Sequence, residues 1–163
     1  MSLSWIDHCV DGLVEYCNSK DIFDIYSVLG IKIVKTFKED PVLKKNEAVY
    51  LRSYFDTEIV FIRDDLPRQY EKFILAHELG HAVLHTEICT ATFNRNLLNC
   101  GKLEKQANYF ALKLLNIKID NTDFEGYTIE QISKTLYVNE ESLEYISDFF
   151  NPKHEHTFYE VMK

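Results

Sequence analysis

The sequence predicts an α+β fold: N-terminal helices, a small antiparallel three-stranded sheet, and then a run of further helices. Three observations carry this expectation. Apolar residues recur at helical intervals up to Gly30, alternate with polar ones over three stretches between 31 and 64, and return to a helical period after Pro67. At 163 residues the chain is long enough to bury a proper core, so a single domain over 1–163 is expected, with its centre at about 20–116 and a C-terminal helical pair at about 127–150.

The first helix is read from SWIDHCVDGLVEYCN, where Ile6, Val10, Leu13, Val14 and Cys17 share one face. Ser4 is its expected N-cap, with Asp7 in the capping-box position. A second short helix over 20–29 ends at Gly30, which tolerates the left-handed conformation that closes helices. IKIVKTF alternates and reads as a strand, and EAVYLRSYF and TEIVFIRD read as two more, joined at Asp56-Thr57. The next helix starts just after Pro67, with Asp64 and Asp65 near its positive end. Residues 88–101 show no strong period and read as a loop. LEKQANYFALKLLN is an amphipathic helix over 103–115. GYTIEQISKTLYV and NEESLEYISDFF give two short helices with Thr128 and Asn139 as caps, the last stopped by Pro152.

Composition narrows the function classes. The net charge of −8 lacks the basic footprint that general nucleic-acid binding needs. No apolar run is long enough to span a bilayer, and the first residues lack the plan of a secretion signal. Cys9, Cys17, Cys89 and Cys100 are scattered, form no CxxC pair, and read as reduced thiols of a cytoplasmic protein. A monomer without membrane or direct nucleic-acid contacts is expected.

The chemistry concentrates in FILAHELGHAVLH, residues 73–85. His77 and His81 lie four apart, so on a helix their imidazoles stand one turn apart on one face and can share a zinc ion. Glu78 sits beside that line, where a carboxylate can take a proton from an activated water without joining the ligands. Ile74, Leu75, Ala76, Leu79, Ala82, Val83 and Leu84 cover most of the circumference, so the helix is interior. Interior ionisable groups are costly unless they are paired or bound to a metal.

A third ligand must come from elsewhere. The pattern HExxHxxGxxH fails, because Leu84 and Glu87 occupy its last two marked positions. His85 is one turn past His81, and three ligands on successive turns of a straight helix cannot converge on one ion, so it reads as a supporting or core histidine. Glu104 is the better choice. On the helical wheel it shares a face with Asn108, Ala111 and Leu115, while Lys105, Gln106, Tyr109 and Lys113 take the opposite arc. Asn108, one turn on, can accept a hydrogen bond from a ligating imidazole. Strand 48–55 or 58–62 is expected to form a sheet edge near the metal, where an extended substrate adds as a further strand. Tyr50 and Tyr54 are candidate donors to a developing oxyanion. His154 and His156 read as part of a polar tail.

FILAHELGHAVLH followed by KLEKQANYFALKLL resembles the ImmA/IrrE family of small zinc-dependent peptidases. The family pairs an HExxH helix with a later helix of the form E-x-x-A-N-x-F-A, matched here by Glu104, Ala107, Asn108, Phe110 and Ala111. The resemblance is specific over roughly 70–116 and looser through TIEQISKTLYVNEESLEYI. Gln106 stands where many relatives carry a second glutamate, and the helix ends LLNI in place of the usual LLMP. The resemblance implies a zincin-like fold of gluzincin type, with His77, His81 and Glu104 as Zn2+ ligands and Glu78 as catalytic base. It also implies a protein substrate, a helix-turn-helix repressor encoded beside the peptidase on a mobile element or prophage. A metal-containing binding module, acting as an anti-repressor or toxin–antitoxin partner with little proteolysis, is the competing expectation. A DNA-binding role for 128–150 is disfavoured, since Glu130, Glu140, Glu141 and Glu144 face Lys134 alone.

Overall fold

A computed structural model describes residues 3–86, 97–118, 124, 126–138, 140 and 143. Among these, the chain runs through helices α1 (Ser4–Cys17) and α2 (Ile22–Leu29) into strand β1 (Lys32–Thr36). A short 3-10 turn at Pro41–Leu43 precedes β2 (Ala48–Tyr54) and β3 (Thr57–Arg63). Helices α3 (Arg68–Leu84), α4 (Leu97–Leu114) and α5 (Ile129–Leu136) complete the α+β architecture.

α1 buries Ile6, Val10, Leu13 and Cys17, the face that the helical spacing marks. Its start differs from expectation. Ser4 is already helical and no side chain caps the helix; the ring Nδ1 of His8 instead lies 2.9 Å from the Ser4 carbonyl. Asp7 forms no capping box. It accepts from the Tyr109 hydroxyl at 3.0 Å and lies 3.3 Å from Lys113 Nζ, so its charge ties α1 to α4. α2 is capped by Asp21, whose Oδ1 accepts from the amide of Phe23 at 2.9 Å, and it closes on Gly30 at φ 71°.

The sheet is mixed, not antiparallel. β3 lies between the other two strands, parallel to β1 with Lys32 opposite Ile59 and antiparallel to β2 with Ala48 opposite Ile62. Residues 37–47, with the Pro41–Leu43 turn, carry the chain past the vacant central position and lay β2 at the far edge. β3 then fills the centre by folding back as a hairpin. Alternation alone does not name a strand's partner; the central β3 buries Ile59, Val60 and Ile62, with successive residues 59 and 60 pointing to opposite, covered faces. The hairpin turns at Phe55–Asp56, one residue earlier than expected, with both residues at positive φ (48° and 58°). That pair of angles belongs to the tight turn whose twist matches the flanking strands.

α3 begins after Pro67, as the sequence predicts. Asp65, two residues ahead of Pro67, is gripped by Arg63 through two hydrogen bonds of 2.8 and 2.7 Å. The buried Glu71 sits in the first turn, with the Lys35 ammonium 2.9 and 3.0 Å from its two oxygens. Phe73, Leu75, Ala76 and Leu79 sink into the core. The fully buried Tyr26 donates from its hydroxyl to the Leu75 carbonyl at 2.9 Å, fixing α2 beneath α3. α4 starts well before residue 103, and α5 carries the expected Thr128 cap in a full capping box with Gln131.

Of the helix expected over 139–150, residues 140 and 143 are described and helical; the rest of it with its Asn139 cap, Pro152, His154, His156, Cys89 and the side chain of Cys100 lie outside the described residues. No helix among the described residues is long and apolar enough to cross a membrane.

α3 and α4 run antiparallel in close contact, and Gly80 is where they touch. A Cβ built there would stand 3.0 Å from Ala107 Cα and 3.2 Å from its carbonyl oxygen. Backbone cannot yield as a side chain can, so Gly80→Val should destabilise the protein by about 1–3 kcal/mol, the usual cost of overpacking. Chemical denaturation checks this, and an unchanged midpoint would contradict the contact.

Candidate metal centre

Residues 77, 78 and 81 fall in the middle of α3, and Glu104 and Asn108 lie one turn apart on α4. The antiparallel packing sets His77 opposite Asn108 and His81 opposite Glu104. His77 Nε2 is 3.1 Å from His81 Nε2 and 3.3 Å from Glu104 Oε2, and His81 Nε2 is 3.5 Å from Glu104 Oε1. All three residues are half-buried. Among the described residues, His77, His81 and Glu104 form the group of His, Cys, Asp and Glu whose ligand atoms converge, all within 4.8 Å.

These distances fit a metal. Donor atoms bound tetrahedrally at about 2.0–2.1 Å from zinc stand about 3.3–3.4 Å apart, and the three contacts scatter around that edge length. The outward ring nitrogens fit as well. His77 Nδ1 lies 2.7 Å from Asn108 Oδ1, a carbonyl oxygen that only accepts, so Nδ1 carries the proton and Nε2 presents a lone pair to the pocket. Asn108 is 1% exposed, and this bond accounts for a polar side chain at that depth.

The same convergence attracts protons. Burial disfavours charge on His77, but its hydrogen bond to Glu104 and the nearby Glu78 carboxylate raise its pKa above the ordinary imidazole value. Burial likewise works against ionised Glu104, yet hydrogen bonds from His77 and His81, donated from Nε2 when those rings carry a second proton, hold its carboxyl well below the usual carboxylate range. A cation and protons therefore compete for one set of lone pairs.

Glu78 turns to the sheet. One of its oxygens accepts from the Tyr50 amide at 3.0 Å, on the outer side of β2. β2 is an edge strand and β3 is not, so of the two stretches expected to border the site, 48–55 does and 58–62 is the sheet's centre. Arg52 reinforces the junction by donating to the Ala82 carbonyl at 2.7 Å. The Tyr50 hydroxyl donates to Glu58 at 2.7 Å, and Tyr54 stacks edge-on against Phe55 and Phe61, so the structure gives these two rings work in the hairpin.

A profile of the IrrE N-terminal-like domain (Peptidase_M78) matches residues 28–146. The chain belongs to the ImmA/IrrE family of metallopeptidases. It is similar to the protein named metallopeptidase ImmA from Bacillus subtilis (strain 168), with 28% identity over 166 aligned positions that cover 93% of this chain and 91% of the relative. No solved structure matches significantly.

Two features of this ImmA/IrrE site escaped sequence reasoning. The backbone N–H of Tyr50 carries no side-chain signature at all. Gln106 falls on the wheel's outer arc but is only 8% exposed, because His85 reaches it from beyond the end of α3. A polar residue between Glu104 and Asn108 was the available hint.

Because the His77 pKa is raised, protons should displace metal from a pH higher than an ordinary imidazole would allow. We predict that zinc affinity, measured by competition with a chromophoric chelator, has already fallen to half its plateau at a pH above about 6.5 as the solution is acidified. Affinity constant down to pH 5.5 would contradict that ligand set.

Proposed function

We propose that the chain is a zinc-dependent endopeptidase that cleaves a helix-turn-helix repressor encoded beside it on a mobile element or prophage, in the cytoplasm. The observation that carries the catalytic part is the convergence of His77, His81 and Glu104 one residue from a carboxylate, Glu78, that is pinned to an edge strand. His77, His81 and Glu104 would hold the ion in a zincin-like site of gluzincin type. Zinc, when bound, supplies a Lewis acid for the scissile carbonyl and lowers the pKa of a water toward about 7.

The chain's own residues do the rest. Glu78 has one oxygen fixed by the Tyr50 N–H, which keeps the carboxylate in register with the pocket. Its remaining basicity serves to take a proton from the attacking water and return it to the leaving amine. Beyond Tyr50, whose amide is held by Glu78, the edge of β2 would receive an extended substrate as an added strand and so present its peptide bond beside Glu78. The repressor as substrate rests on the kinship with a protein named ImmA and on the resemblance of residues 70–116.

Incubating the zinc-loaded protein with the adjacent helix-turn-helix protein tests this directly. Fragments are expected; a stable complex without fragments would instead favour a metal-containing binding module. Glu78→Gln should keep zinc while slowing cleavage by roughly 100- to 10,000-fold, the usual contribution of a positioned base. Cleavage at the wild-type rate would remove Glu78 from the mechanism.

A further inference from the structure

Behind His81 the structure carries a second hydrogen-bonded step. His81 Nδ1 lies 3.0 Å from His85 Nδ1, and His85 Nε2 lies 3.1 Å from Gln106 Oε1. His85 and Gln106 are each only 8% exposed, so both are committed to this chain of contacts and not to water. The amide oxygen of Gln106 can only accept, so His85 must donate from Nε2. A neutral imidazole has one N–H, which leaves His85 Nδ1 as an acceptor. His81 must then donate from Nδ1, and its lone pair is left on Nε2, the atom that faces His77 and Glu104.

We propose that Gln106, acting through His85, is a positioning residue that commits His81 to the tautomer able to bind metal and thereby sets the affinity of the site. The inference rests on the metal-binding reading of His77, His81 and Glu104. It makes α4 the source of three separate controls. Glu104 is the ligand, Asn108 orients His77 directly, and Gln106 orients His81 at one remove. The relay also explains why His85 is retained at depth although it cannot join the ligand set. With the polarity reversed, His85 would donate to His81, the proton of His81 would move to Nε2, and one ligand would be blocked.

The test uses the full-length protein, stripped of metal and titrated with zinc against a chromophoric chelator. Gln106→Leu removes the acceptor, Gln106→Glu keeps an acceptor of unchanged polarity, and His85→Phe removes the middle link. Gln106→Leu and His85→Phe should bind zinc about 10- to 100-fold more weakly, the usual loss when an outer-shell partner of a ligating histidine is removed. Gln106→Glu should bind at least as tightly as wild type, and the thermal midpoint of the metal-free Gln106→Leu protein should stay within a few degrees of wild type. Imidazole nitrogen spectra should show His85 of the wild type protonated at Nε2, with that preference lost in Gln106→Leu. Equal zinc binding by wild type and Gln106→Leu, a loss in Gln106→Glu as large as in Gln106→Leu, or a wild-type His85 protonated at Nδ1 would overturn the relay. Failure of the wild type itself to bind zinc would overturn the metal reading first, and the relay with it.

Discussion

The contact between α3 and α4 at Gly80 and Ala107 is the constraint on which the rest of this structure depends. With a hydrogen where any other residue has a carbon, α3 lets the Ala107 backbone come within van der Waals reach. Only at that separation can imidazoles on one helix and a carboxylate on the other approach to 3.3–3.5 Å. Phe110, Ala111 and Leu112 are fully or almost fully buried alongside, so apolar burial holds the helices together where the polar groups alone would repel or demand solvent. The site is thus a polar seam built inside an apolar helix pair, where His77 meets Asn108 and both histidines meet Glu104 across the contact.

The sheet contributes by its order. Placing β3 at the centre leaves β2 with one side unpaired by strands, and that side meets α3. In an antiparallel edge strand, alternate residues turn their backbone groups outward. Tyr50 is one of these, and its N–H meets Glu78. Had the strands followed chain order as a simple meander, β2 would lie in the middle and this amide would be spent on a neighbouring strand. A carboxylate held by the sheet edge beside a set of ligands is the geometry from which the proposed peptidase chemistry follows.

Much of this was legible in the sequence because it depends on local periodicity. The spacing of His77 and His81 places them on one face whatever surrounds them, and the wheel of residues 103–115 turns Glu104 and Asn108 inward by the same logic. The Thr128 helix start and the Gly30 stop follow from short-range chemistry of caps and left-handed residues. The failures share a cause. Ser4 and Asp7 have cap-forming side chains, but the Asp7 carboxylate found the Tyr109 hydroxyl and the Lys113 ammonium on α4 instead. The antiparallel sheet and the outward Gln106 failed because pairing and burial are decided by whichever element arrives from a distance.

The sequence by itself determined most of the described helices and strands, the residue types able to grip a divalent cation, and the face those residues occupy, because these follow from rotation per residue and side-chain chemistry. Tertiary structure alone decided that β1 and β3 run parallel, that β2 is the edge offered to Glu78, and that His85 and Gln106 meet behind His81. These outcomes depend on which surfaces the chain can bring together while burying apolar area and leaving no interior donor unmatched, and no local pattern encodes that balance.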